Sequence, residues 1–357
     1  MPTRIELLDL AHEAAYRDLC TADPTSLVYH TLEYRDFLAS VLPAAAPRYL
    51  LAFEGESLRA ALPAFRIDGP HGVIVNSLPF YGSNGGILSR SGVSESELRT
   101  LLDGFNDLCL SEQAVMSTIV MNPLRTDQDW VRAHYQPDFL DSRIGQLTRL
   151  PEDPGDGTLP DQLMSLFHQK TRNMVRKGIR GGFQVVEGGS DSAFRALHRI
   201  HDLNMESIGG LAKSWSVFDA IRTHFTHGRD YRLYMASRDD VVHAALLVLQ
   251  ANKTAEYFTP VVLEESRSDQ PLSHLIFQAM QDAVHAGCEY WNWGGTWHSQ
   301  EGVHRFKSRW GTTDIPYAYL VKSHGDASDI LSCRPEELLS AYPDFFVVPF
   351  SELNSAP

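Results

Sequence analysis

The feature that most constrains the fold of this chain is an order of elements that occurs twice. In the first half, "PRYLLAFEGESLRAALPAFRI" reads as two strands meeting at the turn Glu54-Gly55-Glu56. The turn-rich loop "VNSLPFYGSNGGIL" follows, then the helix "SESELRTLLDGFNDLCLSE", whose Ser94 and Glu97 have capping-box spacing, and the strand "MSTIVMNPL". In the second half "YRLYMAS" and "VVHAALLVLQ" meet at Arg238-Asp239-Asp240 and "KTAEYFTPVVL" follows. After the polar loop "EESRSDQP", the helix "LSHLIFQAMQDAVHAG" precedes the strand "CEYWNWGG", and "YAYLVK" ends the sheet. Strands and helices in this order predict an α/β (α+β) architecture, sheets with helices packed on them, present as two tandem domains. A chain of 357 residues also exceeds the length at which a single core splits. The Pro/Gly/Asp-rich segment "LPEDPGDGTLPDQ" sets the boundary: residues 1–152 form a first domain, 153–325 a second, and 326–357 a tail packing back on the first.

Composition narrows the class of function. A hydrophobic content of 43% is that of a folded globular chain. A net charge of −14 supplies no general field for DNA or an anionic membrane, so a polyanion would have to meet a local basic patch. No apolar run approaches the length of a membrane span, and the amino terminus has no apolar core of signal-peptide type. Cys20, Cys109, Cys288 and Cys333 are scattered without a CxxC pair, as expected of reduced, buried thiols in a cytoplasmic protein.

Four stretches of the second half carry a family resemblance: "KTRNMVRKGIRGGFQV", "MESIGG" with the following "SWSVF", "PLSHLIFQAMQDAVHAGCEYWNWGG", and "HRFKSRWG", which is similar to a Phe-Lys-x-x-Phe-Gly motif. In the first half "SLPFYGSNGG" is similar to a loop of the same group. Together they resemble the Fem family, the aminoacyl-tRNA-dependent peptidyltransferases, and the wider set of Fem-like acyltransferases of the acyl-CoA N-acyltransferase (GNAT) fold. The resemblance implies two tandem GNAT-like domains and an acyl transfer whose acceptor is a small-molecule or peptide amine. Asn292 stands where many relatives carry aspartate, and is the second catalytic candidate beside Lys307.

The residues fit that chemistry as follows. In "EYWNWGG" the period of two sends Tyr290, Asn292 and Gly294 to one face and Trp291 and Trp293 to the other. Glycines at the strand end let a substrate approach the backbone. Aminoacyl transfer to an amine passes through a tetrahedral oxyanion, which a fixed ammonium at Lys307 would stabilise, with Phe306 packing to hold it; a surface lysine on an amphipathic turn is the other reading. Arg172, Arg176 and Arg180 recur every four residues and share one helix face, flanked by Lys170 and Lys177: an anion site, or a face paired with the protein's own carboxylates. Tyr81 and Asn84 on the Gly-rich loop suit a sugar or peptide group but are also ordinary turn residues. His298 is placed for proton transfer or for a structural hydrogen bond, and Tyr257 for the cleft or for the sheet. His298 and His304 lack a third ligand at a recognisable spacing, so no metal is expected.

The acyl donor divides the alternatives. Where enzymes of this fold place a Gly-rich pyrophosphate loop, this chain has "SRSDQPLSHL", with Arg267 but no glycine and with Pro271 removing an amide. The donor expected is therefore aminoacyl-tRNA, with acyl-CoA on an altered cradle as the alternative co-substrate and no bound cofactor. A noncatalytic binding protein that kept the fold is the third reading.

Overall fold

The computed structural model describes residues 3–80 and 84–353. In chain order the elements are β1 (Thr3–Leu7), α1 (Glu13–Ala22), α2 (Leu32–Val41), β2 (Ala45–Pro47), β3 (Leu50–Glu54), β4 (Ser57–Leu62), β5 (Phe65–Gly69), β6 (Gly72–Ser77), β7 (Leu88–Ser89), α3 (Glu95–Ser111), β8 (Ala114–Val120) and α4 (Gln128–Tyr135). They continue with β9 (Phe139–Arg149), α5 (Leu159–Leu166), α6 (Gln169–Arg180), β10 (Gln184–Glu187), α7 (Asp191–Ile208), α8 (Trp215–His224), β11 (Tyr231–Arg238), β12 (Val241–Ala251) and β13 (Thr254–Val262). The last are α9 (Pro271–His285), β14 (Tyr290–Thr296), α10 (Glu301–Ser308), β15 (Thr312–Ser323), α11 (Ser328–Leu331) and α12 (Pro335–Ala341). The mixed α/β class expected from the element order is the one observed.

Two compact units divide the chain: residues up to Arg143 with those from Pro316 onward, and Ile144–Ile315. The changes of unit fall inside β9 and β15, whereas the sequence predicts boundaries at 152/153 and 325/326. The Pro/Gly/Asp-rich segment is a surface connection within the second unit, because the strand before it already belongs to that unit's sheet. The carboxyl-terminal segment is part of the first unit: the Tyr342 hydroxyl donates to Gly72 O at 2.9 Å, and Asn76 Nδ2 donates to Phe346 O at 2.7 Å.

In the first unit β1, β3, β4 and β7 form an antiparallel sheet. A second sheet runs β15-β8-β6-β5-β2, in which β6 and β8 are parallel. Parallel neighbours need a crossover, here supplied by α3. Its Ser94/Glu97 capping box forms as expected, with the Ser94 backbone N–H donating to Glu97 Oε2 at 2.7 Å. A core of Leu50, Leu62, Val75, Leu101, Phe105 and Ile119 fills the space beneath.

The second unit repeats the plan. Its sheet runs β10-β11-β12-β13-β14-β9, antiparallel except for β13 with β14, and α9 makes that one crossover. Asp239 and Asp240, with φ of 52° and 60°, form the tight turn between β11 and β12. One face of the sheet, with Trp291, Trp293 and Tyr234, buries α6 and α9 through Val175, Leu275, Ile276 and Met280. Among the described residues no helix is long and apolar enough to cross a membrane, and the four cysteines are buried thiols outside any disulfide.

Candidate active site

The second unit's single parallel pair does not stay paired. β13 and β14 are in register only over Thr254–Glu256 against Tyr290–Asn292, after which β13 runs on to Val262 and β14 to Thr296. Each strand carries an irregularity where they part. The register of β13 against β12 slips between Leu247 and Val248, leaving Phe258 as the extra residue. The register of β14 against β9 slips between Asn292 and Gly295. Gly294 takes φ 73°, a left-handed conformation that favours glycine, and the Asn292 Oδ1 accepts its N–H at 2.9 Å. A Cβ at Gly294 would meet no atom within 4 Å. The result is a fork between two strands with a bare glycine on one wall.

Lys307 lies beneath that wall. The segment leading to it is helix α10, which carries Lys307 to 7% exposure. Its Nζ donates to Gly294 O at 3.3 Å, Gly295 O at 3.2 Å and Thr296 Oγ1 at 2.9 Å. Thr296 in turn donates to Gln146 Oε1 at 3.1 Å. The lysine that looks isolated in sequence is thus the cation that holds the glycine bulge in shape. Burial pushes its ammonium down to about 8.

That shift has a stability consequence. The unfolded lysine keeps its proton up to about 10.5, so between pH 8 and 10.5 the unfolded chain binds the proton that the folded chain has released. Stability from this group therefore rises with pH across that window, by about 3 kcal/mol in all at 1.36 kcal/mol per unit. Urea unfolding at pH 8 and pH 10 should show the wild type gaining on Lys307→Met by that order, since the variant lacks the titrating group; equal gains would refute the assignment.

The other predicted residues separate into two sets. Trp291 and Trp293 serve the core as expected, and Trp293 Nε1 donates to Thr148 Oγ1 at 2.9 Å. Phe306 packs edge-on against Trp293, with ring centroids 6.1 Å apart, and Tyr257 lies 4.9 Å from the same ring. Both are part of the floor under the fork, and burial raises the Tyr257 phenol well above its ordinary range. Asn292 is buried with its carbonyl oxygen turned to Gly294. His298 sits on the exposed turn after β14, whereas His304 is engaged with Asp314 Oδ2 at 2.7 Å. Glu256, the register partner of Asn292, is not among the residues that the sequence motifs point to; the available signal is a lone carboxylate in the otherwise uncharged strand "TAEYFTPVV".

The basic stripe lies on α6 as expected. Thr171, Val175 and Gly178 form its buried side, while Arg176 and Arg180 are exposed and Arg172 is half-buried, donating to Phe167 O at 2.6 Å. Among the described residues no carboxylate forms an ion pair with Lys170, Arg172, Arg176, Lys177 or Arg180. Gly178 permits close packing: a Cβ there would stand 2.4 Å from Gln270 O. Helix α6 therefore packs closely on the start of α9, where Pro271 occupies the first turn and Gln270 takes φ 62°.

The first unit has the corresponding parallel pair, β6 with β8, but its own chain fills the place where they end. Gly85 N–H donates to Val120 O at 3.1 Å, and Ser77 Oγ accepts from Val120 N at 2.8 Å and Gly86 N at 3.3 Å. Asn84, expected to contact a ligand, is buried in this plug with its Nδ2 3.5 Å from Met121 O. Its neighbour in that expectation, Tyr81, lies outside the described residues. Loop composition does not separate a recognition loop from a plug, because both use small polar residues with glycine.

These features define the class: a chain of two tandem GNAT-like units, one with an open strand fork. Residues 167–308 match the model of a family described as an acetyltransferase (GNAT) domain. Of solved structures, FemX is similar over 90% of this chain and 97% of its own, at 13% identity and a TM-score of 0.70. The C-terminal domain of a putative lysylphosphatidylglycerol synthetase from Agrobacterium fabrum is similar over 95% and 99%, at 13% identity and 0.56. A tandem GNAT protein from the clavulanic acid biosynthesis pathway is similar over 91% and 99%, at 12% identity and 0.54. None of the curated proteins matches the chain. The chain has the Fem-like tandem GNAT fold, and the resemblance carried by its motifs holds at the level of fold.

Proposed function

We propose that this chain is an acyltransferase of Fem type that forms an amide on an amine of a cell-wall, peptide or sugar precursor, with aminoacyl-tRNA as donor. The observation that carries the reading is the open fork of β13 and β14 with a buried ammonium fixed beneath its glycine wall. An acyl carbonyl lodged there becomes a tetrahedral oxyanion on attack, and a cation preorganised in a water-poor site stabilises that charge. Lys307 acts through its field and by fixing the bulge, since its nearest acceptors are backbone and Thr296. Asn292 holds the turn that shapes the wall.

The surroundings support that choice of donor. The start of α9 has a proline in its first turn and Glu264, Glu265 and Asp269 just before it, a poor seat for a pyrophosphate. The neighbouring α6 offers a basic stripe free of carboxylate partners, which suits the phosphates of a tRNA acceptor end. The family model matched by residues 167–308 favours the second reading, an acyl-CoA donor on the same fork.

A thermal-shift panel of charged tRNAs, acyl-CoAs and nucleotide-linked sugars separates the two, because a ligand of the native state alone raises its melting temperature. Stabilisation by charged tRNA, with RNase-sensitive mass transfer to an amine acceptor, is the expected result. Saturable acyl-CoA binding with transfer unchanged after RNase would overturn the tRNA assignment.

A further inference from the structure

We propose that the first unit carries a second small-molecule site, one that takes a free α-amino acid with an apolar side chain. Its place is a cavity of about 580 Å³ lined by α4, the start of β9 and the carboxyl-terminal turn at Glu352. That volume lies within the roughly 300–1,000 Å³ of small-ligand sites. All of the lining belongs to the first unit, so the site is separate from the fork of β13 and β14 and stands whether or not that fork transfers an acyl group.

The spacing of residues on α4 makes one wall. Val131 and Tyr135 are its buried side, whereas Asp129, Arg132, Ala133 and Gln136 share the other face and line the cavity. Asp129 and Arg132 carry opposite charges one turn apart, the spacing of a helix ion pair. Yet among the described residues neither side chain forms an ion pair or a hydrogen bond. An acid near the start of α4 and a base near its end suit the helix dipole, which accounts for their signs but not for both facing one cavity without a partner. Glu352 adds a second carboxylate, held by a long bond from Ser351 Oγ at 3.4 Å. Asp138, also in the lining, is taken up by the Ser323 backbone N–H at 2.8 Å and hydroxyl at 2.7 Å. Phe139 and Leu140 supply apolar surface, and Leu140 rests on the first unit's core.

A ligand that satisfies this lining carries a carboxylate and an ammonium a few bonds apart on an apolar body. The guanidinium of Arg132 takes the carboxylate through its planar fork of N–H donors, and Asp129 and Glu352 take the ammonium. The side chain lies on Phe139 and Leu140. Two carboxylates against one guanidinium disfavour a simple anion such as phosphate, and a bare amine would leave Arg132 without a partner. An α-amino acid with an apolar side chain meets all three demands at once.

Isothermal calorimetry of the full chain with leucine, leucinamide, N-acetyl-leucine and glycine tests the site. Leucine should bind saturably, and removing either of its charges should weaken binding roughly 10- to 100-fold, the loss of one charge-assisted contact. Glycine should also bind more weakly, for want of the apolar contact. Arg132→Ala should bring leucine to the level of leucinamide, and Asp129→Ala with Glu352→Gln to that of N-acetyl-leucine. All three positions are exposed, so the melting temperature should hardly move. Lys307→Met should bind leucine as the wild type does, because the fork belongs to the other unit. Absence of saturable leucine binding overturns the proposal, as does equal binding of leucine, its amide and its N-acetyl form. Leucine binding that survives Arg132→Ala and is lost in Lys307→Met overturns it too, and moves the amino acid to the fork.

Discussion

Replacing Lys307 by methionine should lower the rate of acyl transfer by roughly 100- to 1,000-fold, the loss seen when one oxyanion-stabilising group is removed. Folding should change far less. The substitution leaves Gly294 O, Gly295 O and Thr296 Oγ1 without their shared donor, and a buried polar group left unpaired costs about 1–3 kcal/mol. Against this stands the desolvation that already lowers the Lys307 ammonium to about 8, which the methionine does not suffer. The two effects oppose one another, so the variant should melt within a few degrees of wild type while its kcat collapses. A variant that keeps its kcat within threefold would show that the ammonium only braces the bulge.

The double charge reversal Arg176→Glu with Arg180→Glu should weaken tRNA binding by on the order of 100-fold at moderate salt. It should also flatten the dependence of log K on log salt by about 1.4, or about 0.7 for each single-strand phosphate that is no longer neutralised. Both side chains are exposed and neither has a carboxylate partner among the described residues, so stability should hardly move. Arg172 is a poorer probe because it also donates to Phe167 O. Binding measured by fluorescence anisotropy over a salt series reads both quantities, and an unchanged slope would place the tRNA elsewhere.

Local signals in the sequence are legible where a physical rule has one outcome. The Ser94/Glu97 box, the turns at Gly55 and Asp239-Asp240, and the face of α6 that carries Arg172, Arg176 and Arg180 all form as expected, because each depends on neighbours within one helical turn or one hairpin. Trp291 and Trp293 reach the core for a reason of the same kind, the period of the strand. The unit boundaries at 143/144 and 315/316 lie before the ones the sequence predicts at 152/153 and 325/326, since a loop-rich segment marks a surface connection and not the strand at which one sheet takes over from another.

The site itself is legible only in part. The amino-acid sequence by itself determined the class of fold, the basic stripe, and the placing of Lys307 close after a glycine pair. Only the tertiary structure decided that β13 and β14 part at Glu256 and Asn292, that the equivalent place in the first unit is filled by Gly85 and Gly86, and that the Lys307 ammonium is clasped by carbonyls and a hydroxyl 11 to 13 positions earlier in the chain. The reason is one of range. Periodicity, capping and turn chemistry act between residues a few positions apart, whereas a fork exists only through the register of strands whose paired residues lie far apart in the chain, and nothing local to either strand records where that register ends.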